Sequence, residues 1–245
     1  MIVGLDRIGL AVADLEAAAG AYEVLMGAPP GPGAAYRFQL ANMALEITAG
    51  GKEPVFSLGF AADDLAETAR VLERRGIGSE NARLSTEATH GVAITLAPRG
   101  SAPSPPTRPD APHALDHVVI HTPNAERAVA LYGGRLGLDL RLDRANPQWG
   151  SRLLFFRCGG AVVEISGDLN ASASDGPDRI TGLAWRIADP AAAQARLAAA
   201  GLDVSPVRPG RKPGTAVFTV RAGVPGAPAL MLGGAEQAVL SPRTR

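Results

Sequence analysis

The chain has 245 residues, 46% of them hydrophobic, enough for one large domain or for two of about 120 residues, each with its own core. Basic and acidic residues number 24 each, so the net charge is zero and no overall field steers the protein to nucleic acid or to an anionic membrane surface. A single cysteine, Cys158, excludes an intrachain disulfide and a cysteine cluster for zinc; no run reaches the ~18 apolar residues of a membrane span, and a cytoplasmic protein is expected.

Residues 5–30, "LDRIGLAVADLEAAAGAYEVLMGAPP", pass from a strand-like to a helix-like run, and "MALEIT" (43–48) supplies a later strand. The punctuation "GAPPGPG" (27–33) is not a phosphate cradle, because its prolines lack the N–H groups a cradle needs. Residues 55–97 follow as strand "VFSLGFAA", helix "DLAETARVLERRG" and short strands ending in "GVAITLAP". Six prolines between 98 and 113 then mark a stiff, exposed connector, and His113 at its end and His90 at a turn are expected to face solvent. Beyond it, "LDHVVIHTPNAERAVALYGGRLGLDL" (115–140) repeats the strand-to-helix passage, "RANPQWGSRLLFF" (144–156) and "AVVEIS" (161–166) supply strands, and residues 180–233 give a further strand, helix and strands.

The two halves align. Leu5, Asp6, Glu16, Ala18, Tyr22 and Gly27 match Leu115, Asp116, Glu126, Ala128, Tyr132 and Gly137, and Glu46 matches Glu164 once an eight-residue excess in the second half is allowed. Within the later parts of each half, Asp64, Leu72 and Gly76 match Asp189, Leu197 and Gly201, the aspartates placed as helix N-caps and the glycines as stops. The expected architecture is α+β, four modules of strand, helix and about three strands. Its boundaries are an N-terminal domain at 1–98, a linker at 99–113, a C-terminal domain at 114–235 and a tail at 236–245.

This fourfold βαβββ pattern, opened by "LDHVVI" and closed by "VVEI", resembles the vicinal oxygen chelate superfamily of glyoxalases, extradiol dioxygenases and bleomycin and fosfomycin resistance proteins. The resemblance implies paired modules whose curled mixed sheets form cup-shaped pockets, with a metal held on the first and last strands. His117 and Glu164 occupy those positions in the third module. If the two strands are neighbours, the side chains start about 5 Å apart at Cβ. A single divalent Fe, Mn, Zn, Co or Ni ion on such nitrogen and oxygen donors keeps positions open for two substrate oxygens. The same residues also suit a buried hydrogen-bonded pair without metal.

His121 lies on the same strand face but about 13 Å further along, too far to share the ion; it lines the far end of the cup or sits exposed at the strand end. Other modules depart from the pattern. The first has Arg7 with Glu46, a salt bridge; the second offers Ser57 and about Thr95, the fourth Gly182 and about Met231. The resulting two ligands fall short of the two-histidine, one-carboxylate set of extradiol ring cleavage.

Two loops suit a substrate. One carries Trp149, Arg152 and Phe155, fit to cover a flat anionic ligand, although Trp149 also suits packing beneath the loop. The other, "VRPGRKPGT" (207–215), offers Arg208, Arg211 and Lys212 to a carboxylate or phosphate, or forms a solvated basic turn. No nucleotide-binding loop or serine-hydrolase elbow is present. Two functions stay open: a metal-assisted enzyme acting on a small anionic, oxygenated substrate, and a non-catalytic protein that sequesters a small molecule. A homodimer through sheet edges also stays open, as does the pairing of modules within or across halves.

Overall fold

The computed structural model describes residues 1–31, 35–100 and 108–234; residues 101–107 of the connector and the 236–245 tail lie outside the described residues. The first half runs β1 (Ile2–Val12), α1 (Leu15–Met26), β2 (Tyr36–Gln39), β3 (Ala44–Ala49), β4 (Val55–Ala62), α2 (Leu65–Arg74), β5 (Ser79–Glu80), β6 (Arg83–Leu84) and β7 (Ala93–Pro98). The second runs β8 (Ala114–His121), α3 (Ala125–Ala128), β9 (Asp139–Asn146), β10 (Ser151–Cys158), β11 (Ala161–Asp168), β12 (Arg179–Arg186), α4 (Pro190–Ala199), β13 (Asp203–Val204), β14 (Arg208–Pro209), β15 (Thr215–Ala222) and β16 (Ala229–Gly234).

The helices start where a short polar side chain can take an orphan N–H. Asp14, Asp64, Asn124 and Asp189 accept from the backbone N–H of Ala17, Glu67, Arg127 and Ala192. Gly76 and Gly201 follow α2 and α4 at φ 78° and 85°, the left-handed stop that glycine adopts without strain. The third helix departs from expectation. After one α turn it widens into a π-helix at Val129–Arg135, across Gly133 and Gly134, which carries the buried Tyr132 onto Phe156 of β10 with ring centroids 5.9 Å apart.

Each half forms one mixed sheet, and the modules pair within halves. The orders are β2-β3-β1-β4-β7-β6-β5 and β13-β15-β16-β12-β8-β11-β10-β9, with β14 on β15. In both, the first strands of the two modules run antiparallel at the centre (β1 with β4, β8 with β12), and each first strand is flanked in parallel by the last strand of its own module (β3, β7, β11, β16). Alternation then sorts the side chains. Leu115, Val118 and Ile120 of β8 are buried on the helix side, while His117, Val119 and His121 lie on the opposite, inner face.

The halves are joined tightly rather than tethered. Asn42 bonds Leu115 and Gly160 of the second half through both ends of its amide, at 2.8–3.1 Å. Residues 109–113 of the connector are built into this seam: Asp110 and Ala111 are buried, and the Pro109 carbonyl accepts from Ala188 and Asp189. His113 is therefore not solvent-facing as expected, since its backbone bonds Ala41 and Arg186; His90 is half-buried too, with its carbonyl on Asp178 N–H and its ring against Arg135. Arg196 of α4 closes the join. Its guanidinium donates to the Val24 and Leu25 carbonyls at the end of α1 and to the Asp110 carbonyl, and its Nε lies 3.0 Å from the Asp110 carboxylate. The last turn of α1 has no basic residue of its own, so Arg196 supplies its charge complement from the other half. Arg196→Met should destabilise the protein by about 2–4 kcal/mol in urea unfolding, because it strands the Val24, Leu25 and Asp110 carbonyls, although the Asp110 carboxylate keeps its pair with Arg108.

Candidate functional site

The second half's inner face is organised by strand register. Phe155, Glu164, Val119 and Gly182 form one row across β10, β11, β8 and β12, and Arg157, Val162, His117 and Ala184 form the next. His117 and Glu164 are diagonal neighbours on the parallel pair. Their side chains, 18% and 16% exposed, bring Nε2 within 3.5 Å of Oε2. The other ring nitrogen, Nδ1, is 2.8 Å from Asp116 Oδ2, and Asp116 Oδ1 accepts from Arg186 Nε at 2.9 Å.

Burial pushes the Glu164 carboxyl above its ordinary range; His117 and Arg211 pull it back, and Asp116 pushes it further up. For Asp116, burial likewise acts upward, but the hydrogen bonds from His117 and Arg186 outweigh it and hold the carboxyl at about 2. Burial drives the Cys158 thiol upward, so it is inert packing.

The two loops meet at the mouth. Arg211, from the turn between β14 and β15, lies over the Trp149 ring at 4.6 Å from its centroid, close enough to Glu164 to affect its ionisation. Trp149 is 59% exposed, so it does not pack beneath the loop. Phe155 sits beside Glu164, and Leu142 of β9 extends the same row outward.

Arg152 is elsewhere. It shares the face of the buried Leu154 and Phe156, and its guanidinium is engaged by Asp143 of β9 and Glu126 of α3. Lys212 is exposed, and its carbonyl braces the turn by accepting from Thr215; His121 is exposed at the end of β8 beside Ser166 and Arg179.

Asp116 and Arg186 escaped the sequence reading. The repeat marks Asp116 as a position common to both halves and not as a site residue, and nothing local ties Arg186, 70 residues on, to it. The fourth module's inner position is Leu230, opposite Ala184, rather than the expected Met231, which strand alternation turns into the core.

Donor chemistry decides what cation fits. Among the described residues no group of three His, Cys, Asp or Glu side chains is arranged around a metal position, and Gly182 and Leu230 offer no donor. One imidazole nitrogen and one carboxylate oxygen fit a divalent ion on two protein ligands, with other positions left to water or substrate oxygens, and do not fit a three-ligand set.

The N-terminal half shows the same arrangement with one replacement. Arg7 NH1 is 2.9 Å from Asp6 and its Nε is 3.3 Å from Glu46, with NH2 donating to Thr95 Oγ1 at 3.3 Å. Gly59 is obligatory there, since a Cβ would lie 2.6 Å from the Arg7 stem.

Comparison with known proteins bears on this geometry. Residues 116–218 match the profile of the Glyoxalase/Bleomycin resistance protein/Dioxygenase superfamily. The C-terminal half is a vicinal oxygen chelate domain.

The vicinal oxygen chelate fold extends over the whole chain. A triple mutant of 4-hydroxymandelate synthase from Streptomyces coelicolor is 15% identical over 97% of this chain and 95% of its own, with a TM-score of 0.72. The 2,2',3-trihydroxybiphenyl 1,2-dioxygenase of Sphingomonas wittichii is 16% identical over 98% and 94%, with a TM-score of 0.71. A Mn(II)-bound glyoxalase from Novosphingobium aromaticivorans is 19% identical over 96% and 83%, with a TM-score of 0.67. At these identities the likeness establishes fold. Comparison with curated proteins returns no sequence match, and among the described residues no helix is long and apolar enough to cross a membrane.

The raised Glu164 carboxyl makes a stability prediction. Folding favours its protonated form, so the ionised carboxylate costs stability once the pH exceeds its unfolded value. Glu164→Gln should therefore be at least as stable as wild type in urea at pH 7–8, the advantage vanishing below about pH 4, where both side chains are neutral.

Proposed function

We propose that the C-terminal cup is the active site of a metal-assisted vicinal oxygen chelate enzyme acting on a small anionic, oxygenated substrate. The observation that carries this reading is the 3.5 Å approach of His117 Nε2 to Glu164 Oε2, too long for a good hydrogen bond and short enough for one ion to touch both atoms. A divalent ion bound there would polarise a substrate carbonyl or stabilise an enolate on two neighbouring oxygens. The remaining work falls to the protein. Phe155 and Leu142 give the substrate body an apolar wall, and Trp149 covers it from the rim. Arg211 is exposed and lies against an aromatic face, an attraction of about 0.5–1 kcal/mol, so it can exchange that contact for a substrate carboxylate.

A second reading has its own support. Gly182 and Leu230 leave the site with two protein ligands, which suits a metal-free protein that sequesters a small anion between Arg211 and the cup.

Calorimetric titration with Mn(II), backed by elemental analysis, separates the two. Wild type should bind one ion per chain, and His117→Ala or Glu164→Ala should weaken binding at least tenfold. No binding by wild type, or equal binding by the variants, would contradict the metal-assisted reading. In the second reading, ligand binding survives EDTA.

A further inference from the structure

We propose that Asp116 and Arg186 are positioning residues that fix His117 in the tautomer with its proton on Nδ1, so that Nε2 is the donor atom presented to Glu164. The purpose of this device rests on the metal-assisted reading; its existence rests on geometry alone.

An ionised carboxylate has no proton to give, so at 2.8 Å from Asp116 Oδ2 the neutral imidazole must donate through Nδ1. That leaves the lone pair on Nε2, which faces Glu164. Arg186 holds the second carboxylate oxygen at 2.9 Å and so fixes the orientation of the acceptor. Carboxylate partners of this kind set ring orientation and donor strength in histidines that bind metals.

The backbone is shaped for this contact. Consecutive strand residues normally point to opposite faces, yet Asp116 and His117 touch. The register of β8 on β12 pairs Ala184 with His117 and then Trp185 with Leu115, so Asp116 is the extra residue of a β-bulge. The same bulge occurs at Asp6 of β1, between Leu5↔Phe60 and Arg7↔Gly59, where Asp6 likewise holds the following residue's side chain at 2.9 Å. A feature present in both halves at the same place belongs to the design of the strand and not to one chance ion pair.

Asp116→Asn gives a test in which Arg186 decides the outcome. The Arg186 N–H needs an oxygen, so the amide oxygen goes to Arg186 and the NH₂ turns to His117 Nδ1, which must then accept. The proton moves to Nε2. In the double variant Asp116→Asn with Arg186→Met, the amide is free to turn its oxygen to Nδ1, and the original tautomer returns.

Long-range ¹H–¹⁵N NMR of the ion-free, histidine-labelled full chain, at a pH where the ring is neutral, shows which nitrogen carries the proton. The His117 signal is assigned by its loss in His117→Gln. The expected order is Nδ1–H in wild type, Nε2–H in the single variant and Nδ1–H in the double. Mn(II) affinity should fall about 10- to 100-fold in the single variant and recover most of that loss in the double. An Nε2–H tautomer in wild type, an unchanged tautomer in Asp116→Asn, or undiminished Mn(II) affinity in that variant overturns the proposal. If wild type binds no Mn(II), the metal-assisted reading fails and the tautomer series alone decides this one.

Discussion

In each half, the first strand of the leading module is held beside the last strand of the same module in parallel pairing, and that neighbourhood sets two carboxylates near one basic side chain. In the first half the basic group is Arg7, between Asp6 and Glu46. In the second it is His117, between Asp116 and Glu164. Part-buried carboxylates need compensation, and the two halves supply it differently. Arg7 is a permanent cation that reaches both acids, whereas the His117 ring bonds Asp116 through Nδ1 and leaves Nε2 3.5 Å from Glu164. In the C-terminal cup Arg186 also bonds Asp116, and Arg211 lies near Glu164.

This difference gives the halves different roles. The first half's inner face is satisfied internally, with Gly59 leaving room for the arginine stem. The second keeps an acidic and a nitrogen donor on the surface of a cup whose mouth is framed by Trp149 and Arg211. Because Asn42, Arg196 and residues 109–113 bind the halves together, the first half acts as a support that fixes the position of β8 in the second.

Much of this was legible in the sequence, because periodicity and caps are local. The modules and the helix starts at Asp64 and Asp189 follow from apolar pattern and short polar side chains, and the His117–Glu164 pairing follows from the resemblance those modules establish. What was not legible depends on register and long-range contact. The bulge at Asp116 has no sequence signature, although the repeated "LDR" and "LDH" placed an acid beside each key residue. Arg152 looked like a cup residue through its nearness to Trp149, yet strand alternation turns it to the helix side, and Arg211 takes the place on the ring. Met231 fails for the same reason, one step of alternation.

The central claim is that the C-terminal cup takes a cation where the N-terminal cup carries its own. Crystals grown with Mn(II), measured for anomalous scattering, test it most directly. The account predicts one peak per chain, in contact with His117 Nε2 and Glu164 Oε2, and none beside Arg7 and Glu46. A map with no peak at His117, or with peaks in both cups, would contradict it.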